Sequence, residues 1–451
     1  MKPRSALGRV LLSAMLACVL GGCGSTLDSL GTDASAQAGT SGTAGDAGSA
    51  GNAGSAGNAG SAGNAGGAGL PSTLRAVKGP DSYYNAFGDL LAKSDDAISS
   101  KINAAFNQLF YGRSDQIIFY QHQTADDRSL ILDVLHMDVR TEGIGLAMLI
   151  AVELDKKDEF DQLWRYSKGV LQQPSGAARG YFSSFCGEDT AAPCYDAYGM
   201  QHFVLALMLA NGRWHSTTEM PYASDALTLL DVLQNKEAEN GGVMLGIGSA
   251  FDAQSHLVRE EPTLADAGFT TRSALQMPAA YWYWQEASGN AFWGAAASAA
   301  HTHLLAAADP STGLWPMRSY FDGTPVDASP GFTAQGYRTQ LNLAIDALWN
   351  TASADQADLA SRVLDFFYGK GLDKYGITFS VDGMSLDDSS RAQALISVNG
   401  ALAVAARANA HRKEFVQAVW DQGIPSDNNR YYDGLLYLMS MLVLSGRMQV
   451  Y

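Results

Sequence analysis

At 451 residues with a formal net charge of −16, the chain carries its Asp and Glu scattered rather than in blocks. A nucleic-acid partner is therefore excluded, because phosphate binding needs clustered Lys and Arg, and the scattered acids signal solubility. With 47% hydrophobic and 10% aromatic residues, the chain can bury a large core, and an uncharged or weakly polar ligand suits it best.

In chain order, Lys2, Arg4 and Arg9 lead a short apolar stretch that ends in Leu20-Gly21-Gly22-Cys23. The stretch is too short to span a bilayer stably, and charge, apolar core, then small residues is the secretory pattern. With Cys directly after Leu-Gly-Gly it resembles a bacterial lipoprotein signal. That resemblance implies a signal peptide over 1–22, lipidation of Cys23, and a protein tethered in the bacterial cell envelope, on the outer-membrane, periplasmic or cell-surface side. Residues 23–70 run through a Gly-Ser-Ala-Gly-Asn-Ala repeat with nothing bulky to bury, so a flexible tether is expected. Its mean reach is roughly 35–40 Å.

From residue 71 to 451 the chain is one series of apolar helical patterns. The spacing predicts helices near 95–111, 142–155, 157–173, 199–211, 222–235, 273–287, 290–307, 338–350, 353–369, 391–411 and 431–445, with another over 83–93. No Pro/Gly/Ser linker interrupts the run and no 30–45-residue repeat motif marks a solenoid, so a closed toroid of about twelve paired helices is expected. The strand-like pieces "IIFYQ" (Ile117 to Gln121) and "GITFSV" (Gly376 to Val381) fit short β-hairpins on rim loops, where a ligand cleft would be built. Cys186 and Cys194, in "FCGEDTAAPCYD", are close enough to bridge in an oxidising compartment. No metal motif, phosphate loop or Ser-His-Asp signature is present, and no metal or cofactor is expected.

The stretch "MDVRTEGIGLAMLIAVELDKKDEFDQLW" (Met137 to Trp164) sets a lone carboxylate, Glu142, at the mouth of an apolar helix. Thr141 suits the N-cap and Glu142 the first helical position, where a carboxylate meets the positive end of the helix. Gly143 and Gly145 beside it read as bare backbone that leaves room for a ligand, despite a helix cost of about 1 kcal/mol each. A helix-starting carboxylate and a chemical proton donor are both compatible with this stretch.

The segments "LFYG" (Leu109 to Gly112), "DVRTEGIGLAMLIAVELDKKDEFDQLWRYSK" (Asp138 to Lys168), "GYF" (Gly180 to Phe182), "TGLWP" (Thr312 to Pro316), "FDGTP" (Phe321 to Pro325) and "RYYDGLLYLMSMLVLSG" (Arg430 to Gly446) resemble glycoside hydrolase family 8, in family order. The similarity points to its branch of reducing-end xylose-releasing exo-oligoxylanases. It implies an all-α (α/α)6 barrel, a carbohydrate partner, and inverting hydrolysis of β-1,4-linked sugars such as xylan or β-glucan. The family's "(S/T)EG" acid falls on Glu142. An inverting mechanism also needs a second carboxylate roughly 6.5–9.5 Å away to activate water.

Here the sequence departs from the family pattern. The family's basic Asp, three residues before an Arg, falls on Gln335, while the Arg matches at Arg338. An Asp of a second family motif falls on Tyr198, with Asp196 two residues earlier as the substitute base and Asp266, Asp387 or Asp388 as further ones. Leu275 and Gln276 stand where the branch would carry a polar pair. Tyr198, Gln335 and Arg338 are expected to bind the sugar, with Trp315, in a loop-like "STGLWPM", as a stacking platform. Tyr281, Trp282 and Trp284 read as core aromatics, His202 as a core histidine, and Asp433 as a brace of the last helix. Two functions stay open: a lipid-anchored hydrolase with a relocated base, or a carbohydrate-binding protein that kept the cleft without turnover.

Overall fold

Some of the helices, such as Thr141–Glu153, are buried on nearly every side, and others, such as Ala354–Lys370, bury one stripe opposite an exposed face. The first kind must be surrounded by protein and the second must cover it, which makes two concentric rings. A computed structural model describes residues 83–451, apart from 126, 185–194, 196, 243–244, 263–269, 327–330, 375 and 388–391. The expectations for 1–82, Cys23 among them, and for the Cys186–Cys194 bridge lie outside the described residues.

The inner ring consists of α3 (Thr141–Glu153), α5 (Ala197–Trp214), α7 (Pro278–Ser288), α9 (Tyr337–Asn350), α11 (Gln393–Leu402) and α13 (Arg430–Leu444). The outer ring consists of α2 (Asp95–Tyr111), α4 (Lys157–Tyr166), α6 (Tyr222–Asn235), α8 (Ala291–Ala306), α10 (Ala354–Lys370) and α12 (Arg412–Asp421), with the short α1 (Ala86–Leu91) against α12. In α3 every residue except Glu142 is buried, and in α9 all of Tyr337 to Trp349 are. By contrast α10 buries only Gln356, Leu359, Ala360, Val363, Leu364 and Phe367. Around the ring each inner helix packs on the next, and α13 packs back on α3, so the expected (α/α)6 barrel closes. Tyr281 and Trp284 are buried in it, whereas Trp282 is partly exposed.

Among the described residues three two-stranded antiparallel ribbons decorate this barrel: β1 (Phe119–Gln121) with β2 (Ser129–Ile131), β3 (Thr270–Thr271) with β4 (Ser319–Tyr320), and β5 (Thr378–Phe379) with β6 (Ser385–Asp387). The first and last are the hairpins expected from "IIFYQ" and "GITFSV". The β3–β4 ribbon, in register Thr270↔Tyr320 and Thr271↔Ser319, joins two distant loops.

The pattern misplaced several helix boundaries: the helix expected over 273–287 begins at Pro278, and that over 157–173 leaves the α-helix after Tyr166. Instead of one helix over 391–411, α11 stops at Leu402 and residues 403–409 turn through i→i−3 bonds such as Ala403 N–H to Gly400 O and Ala405 N–H to Leu402 O. Alanine tolerates either conformation, and Asn409 decides it: its amide donates to Ser361 O (3.2 Å) and Asp365 Oδ1 (2.8 Å), pinning the corner. The chain then enters α12, a helix the spacing did not predict.

At the far end of α3, Glu153 is buried beneath the C-terminal residues. It accepts from Gln449 N–H (3.1 Å) and from the Tyr451 hydroxyl (2.8 Å), with Arg213 nearby. Burial pushes its carboxyl up to about 8, against those hydrogen bonds. Since the folded state then holds a proton that the unfolded chain releases near its ordinary value of 4.5, stability falls as pH rises from there to about 8. Glu153→Gln should flatten that slope, removing a difference on the order of 5 kcal/mol; urea unfolding across this pH range reads it directly.

Candidate active site

The inner helices place their first turns at one mouth of the barrel. Glu142 begins α3, Tyr198 α5, Arg338 α9 and the pair Tyr431-Tyr432 α13. Because α3 and α9 stand opposite each other in the ring of six, the ion pair between Arg338 Nη1 and Glu142 Oε1 crosses the mouth from wall to wall. Arg338 is buried, and its guanidinium lies 4.4 Å from the centre of the Tyr198 ring. Burial opposes its charge, but Glu142 beside it more than restores it and holds Arg338 protonated above its ordinary range. The Arg338 Nε is buried with no hydrogen-bond partner among the described residues.

Helix α3 starts one residue before the expected position: Arg140 occupies the N-cap, with no side-chain cap, and Thr141 is already helical. The two glycines also serve a different purpose from the one expected. A Cβ on Gly143 would stand 2.4 Å from the Tyr431 ring, and one on Gly145 would stand 2.5 Å from the Cβ of His202. The bare backbone is already filled by neighbouring helices, so these glycines let α13 and α5 close on α3 rather than leaving room for a ligand.

His202 is a core residue, as expected. Its Nδ1 lies 2.9 Å from Tyr198 O, and burial pushes it down to about 4, so it is neutral. It lines a cavity of about 10 Å³ below the mouth with Leu146, Asn342 and Met439. Tyr198 itself is buried behind Arg338, and burial pushes its hydroxyl well up despite that cation.

Gln335 sits exposed in a 3₁₀ turn (Ala334–Gly336) just before α9. Its backbone oxygen accepts from Arg338 Nη2 (3.2 Å), and its side-chain oxygen accepts from Arg272. Beside it, the Tyr432 hydroxyl donates to Ala334 O (2.5 Å). Trp315 corrects the platform expectation: it is 1% exposed and its indole N–H donates to Leu304 O (2.9 Å), so neither face is open to a sugar. Leu275 and Gln276 are buried as well, their main-chain oxygens accepting from Gln201, Tyr281 and Asn342, and so do not line the mouth.

The carboxylates described near the mouth are engaged. Asp133 and Asp138 flank Arg140, and His136 Nδ1 is 2.8 Å from Asp133. Asp433 accepts from Ala394 N–H (3.2 Å) and so caps α11 rather than only bracing its own helix; burial pushes it up to about 6. Glu260 is held between Arg272 and Arg318. Asp387 lies in β6 opposite Thr378, while Asp196, Asp266 and Asp388 lie outside the described residues. Sequence reading missed Glu260, Arg272 and Arg318, which have no periodic signature, and missed Tyr431 and Tyr432, although "RYYDG" displays them.

A barrel of six inner helices with a carboxyl and an arginine across its mouth is a scaffold on which a glycosidase can be built. The sequence profile of glycosyl hydrolases family 8 matches residues 121–446, and the chain belongs to that family. The reducing end xylose-releasing exo-oligoxylanase of Halalkalibacterium halodurans is 30% identical over 381 residues, spanning 82% of this chain and 94% of that protein. Endoglucanase C of Ruminiclostridium cellulolyticum is 23% identical over 316 residues, 68% of this chain and 64% of that one. Among solved structures, a mutant of Rex8A from Paenibacillus barcinonensis complexed with an α-L-arabinofuranosyl-xylotetraose superposes with a TM-score of 0.75 at 27% identity, covering 82% of this chain and 97% of that one.

Removing either partner of the cross-mouth pair leaves a desolvated charge. Glu142→Gln and Arg338→Met should each destabilise the fold by about 3 kcal/mol, and the double variant by clearly less than their sum. Urea titration of the four proteins measures the coupling.

Proposed function

We propose that the protein hydrolyses β-1,4-linked xylo-oligosaccharides or related β-glucan fragments with inversion, Glu142, in its protonated form and parted from Arg338 by the sugar, giving the proton to the leaving oxygen. The observation that carries this reading is a carboxyl at the start of α3, at the family's acid position, facing the mouth beside Arg338. The xylose-releasing relatives support the choice of sugar. Asp196, two residues before Tyr198 and just ahead of α5, is the proposed base, since Gln335 has no basic oxygen to offer.

A second reading, sugar binding without turnover, is favoured by one observation: the Gln335 amide, at the expected base position, is bonded by Arg272. Product analysis of the purified protein against xylo-, cello-, mixed-linkage and chitosan oligosaccharides separates the two. Under the first reading a sugar is cleaved with inversion, and Glu142→Gln and Asp196→Asn each lower kcat by at least about a hundredfold. Binding of a sugar from the panel with no cleavage establishes the second instead.

We further propose that Cys23 is lipidated and that residues 23–70 hold the barrel off the membrane. Cys23→Ala should move the protein from the membrane pellet to the soluble fraction of the envelope. Retention of the variant in the pellet would contradict this anchor.

A further inference from the structure

Gln335 is fixed by a set of residues outside the family motifs. The β3–β4 ribbon brings Arg272, which follows β3, together with Arg318, which precedes β4. Glu260, whose N–H donates to Thr270 O (3.1 Å), lies alongside. Glu260 Oε1 accepts from Arg272 Nε (2.8 Å) and Nη2 (2.5 Å), and Oε2 accepts from Arg318 Nε. The third nitrogen of Arg272, Nη1, donates to Gln335 Oε1. Glu260 and Arg272 are largely buried, with side-chain exposures of 7% and 24%.

A guanidinium has five N–H donors and no acceptor, so the Gln335 amide can meet Arg272 only through its oxygen. The main-chain oxygen of Gln335 is bonded by the second arginine, Arg338. Both carbonyl oxygens of this residue are thus turned to arginines, and the group it has left for the mouth is the Nε2 amide, a donor.

We infer that Gln335 binds an oxygen of the sugar, a hydroxyl or ring oxygen, through Nε2, and that Arg272, braced by Glu260, is the positioning residue that sets this orientation. The inference rests on the mouth being the sugar site, not on whether the sugar is cut. A planar fork held along its Nε and Nη2 edge by Glu260 Oε1 fixes the amide far better than a mobile lysine would, so Arg272→Lys is not a neutral change.

The test is a double-mutant cycle on affinity for xylotetraose, read by calorimetry, or as KM against kcat where the sugar is cleaved. Gln335→Ala and Arg272→Met should each weaken binding about five- to tenfold. The double variant should bind no worse than Gln335→Ala alone, because Arg272 acts through Gln335. Losses that multiply in the double variant, or an Arg272→Met protein with unchanged affinity, would overturn the inference while leaving the sugar site intact. Should Arg272→Met fail to fold, Glu260→Gln loosens the brace and serves in the same cycle. If xylotetraose and the other sugars of the panel do not bind the unmodified protein at all, the sugar-site reading fails, and this inference with it.

Discussion

The ion pair from Glu142 to Arg338 is the constraint on which the mouth of the barrel depends. It ties the first turn of α3 to the first turn of α9 across the ring, and Tyr198, Tyr431 and Tyr432 are arranged around it. Both partners are largely out of water, with side-chain exposures of 7% for Arg338 and 19% for Glu142. Such a pair contributes little net stability over an apolar replacement, yet its breakage is costly. Its value is geometric, because it holds one carboxyl and one guanidinium in fixed relation at the floor of a cleft.

Around the mouth the arginines are matched by carboxylates. The protein is strongly acidic, yet Arg272 and Arg318 pair with Glu260, and Arg338 pairs with Glu142, on either side of Gln335. In this setting an amide at the expected base position is stable, since its oxygens satisfy two arginines without adding another charge. Glu142, Gln335 and the arginines are better understood as one network of ion pairs and hydrogen bonds than as an acid with a missing partner.

Much of this architecture was legible in the sequence. The apolar patterns of α2, α3, α10 and α13 announce paired helices in a closed ring, and "TEG" locates Glu142. What the sequence hid has physical causes. Ala403 to Ala406 suit a helix as well as a corner, and only the distant contacts of Asn409 choose between them. Trp315 sits in a loop-like sequence yet is sealed against Leu304 by packing that no local pattern encodes. Gly143 and Gly145 look like open backbone until Tyr431 and His202 arrive from other helices. Glu260, Arg272 and Arg318 converge through a two-residue ribbon between loops far apart in the chain, a contact with no periodic trace.

The closure of the ring bears on how the molecule is made. Helix α3 takes its neighbours from both directions: α5 soon after it, and α13 from the last stretch of the chain, which also packs on α2. Until α13 arrives, the growing chain is an open crescent whose raw edge is the apolar flank of α3, and the helical hairpins that form early leave that seam wet. Sealing is therefore a late, long-range step, and the species most exposed to self-association is the nearly finished crescent rather than the nascent hairpin.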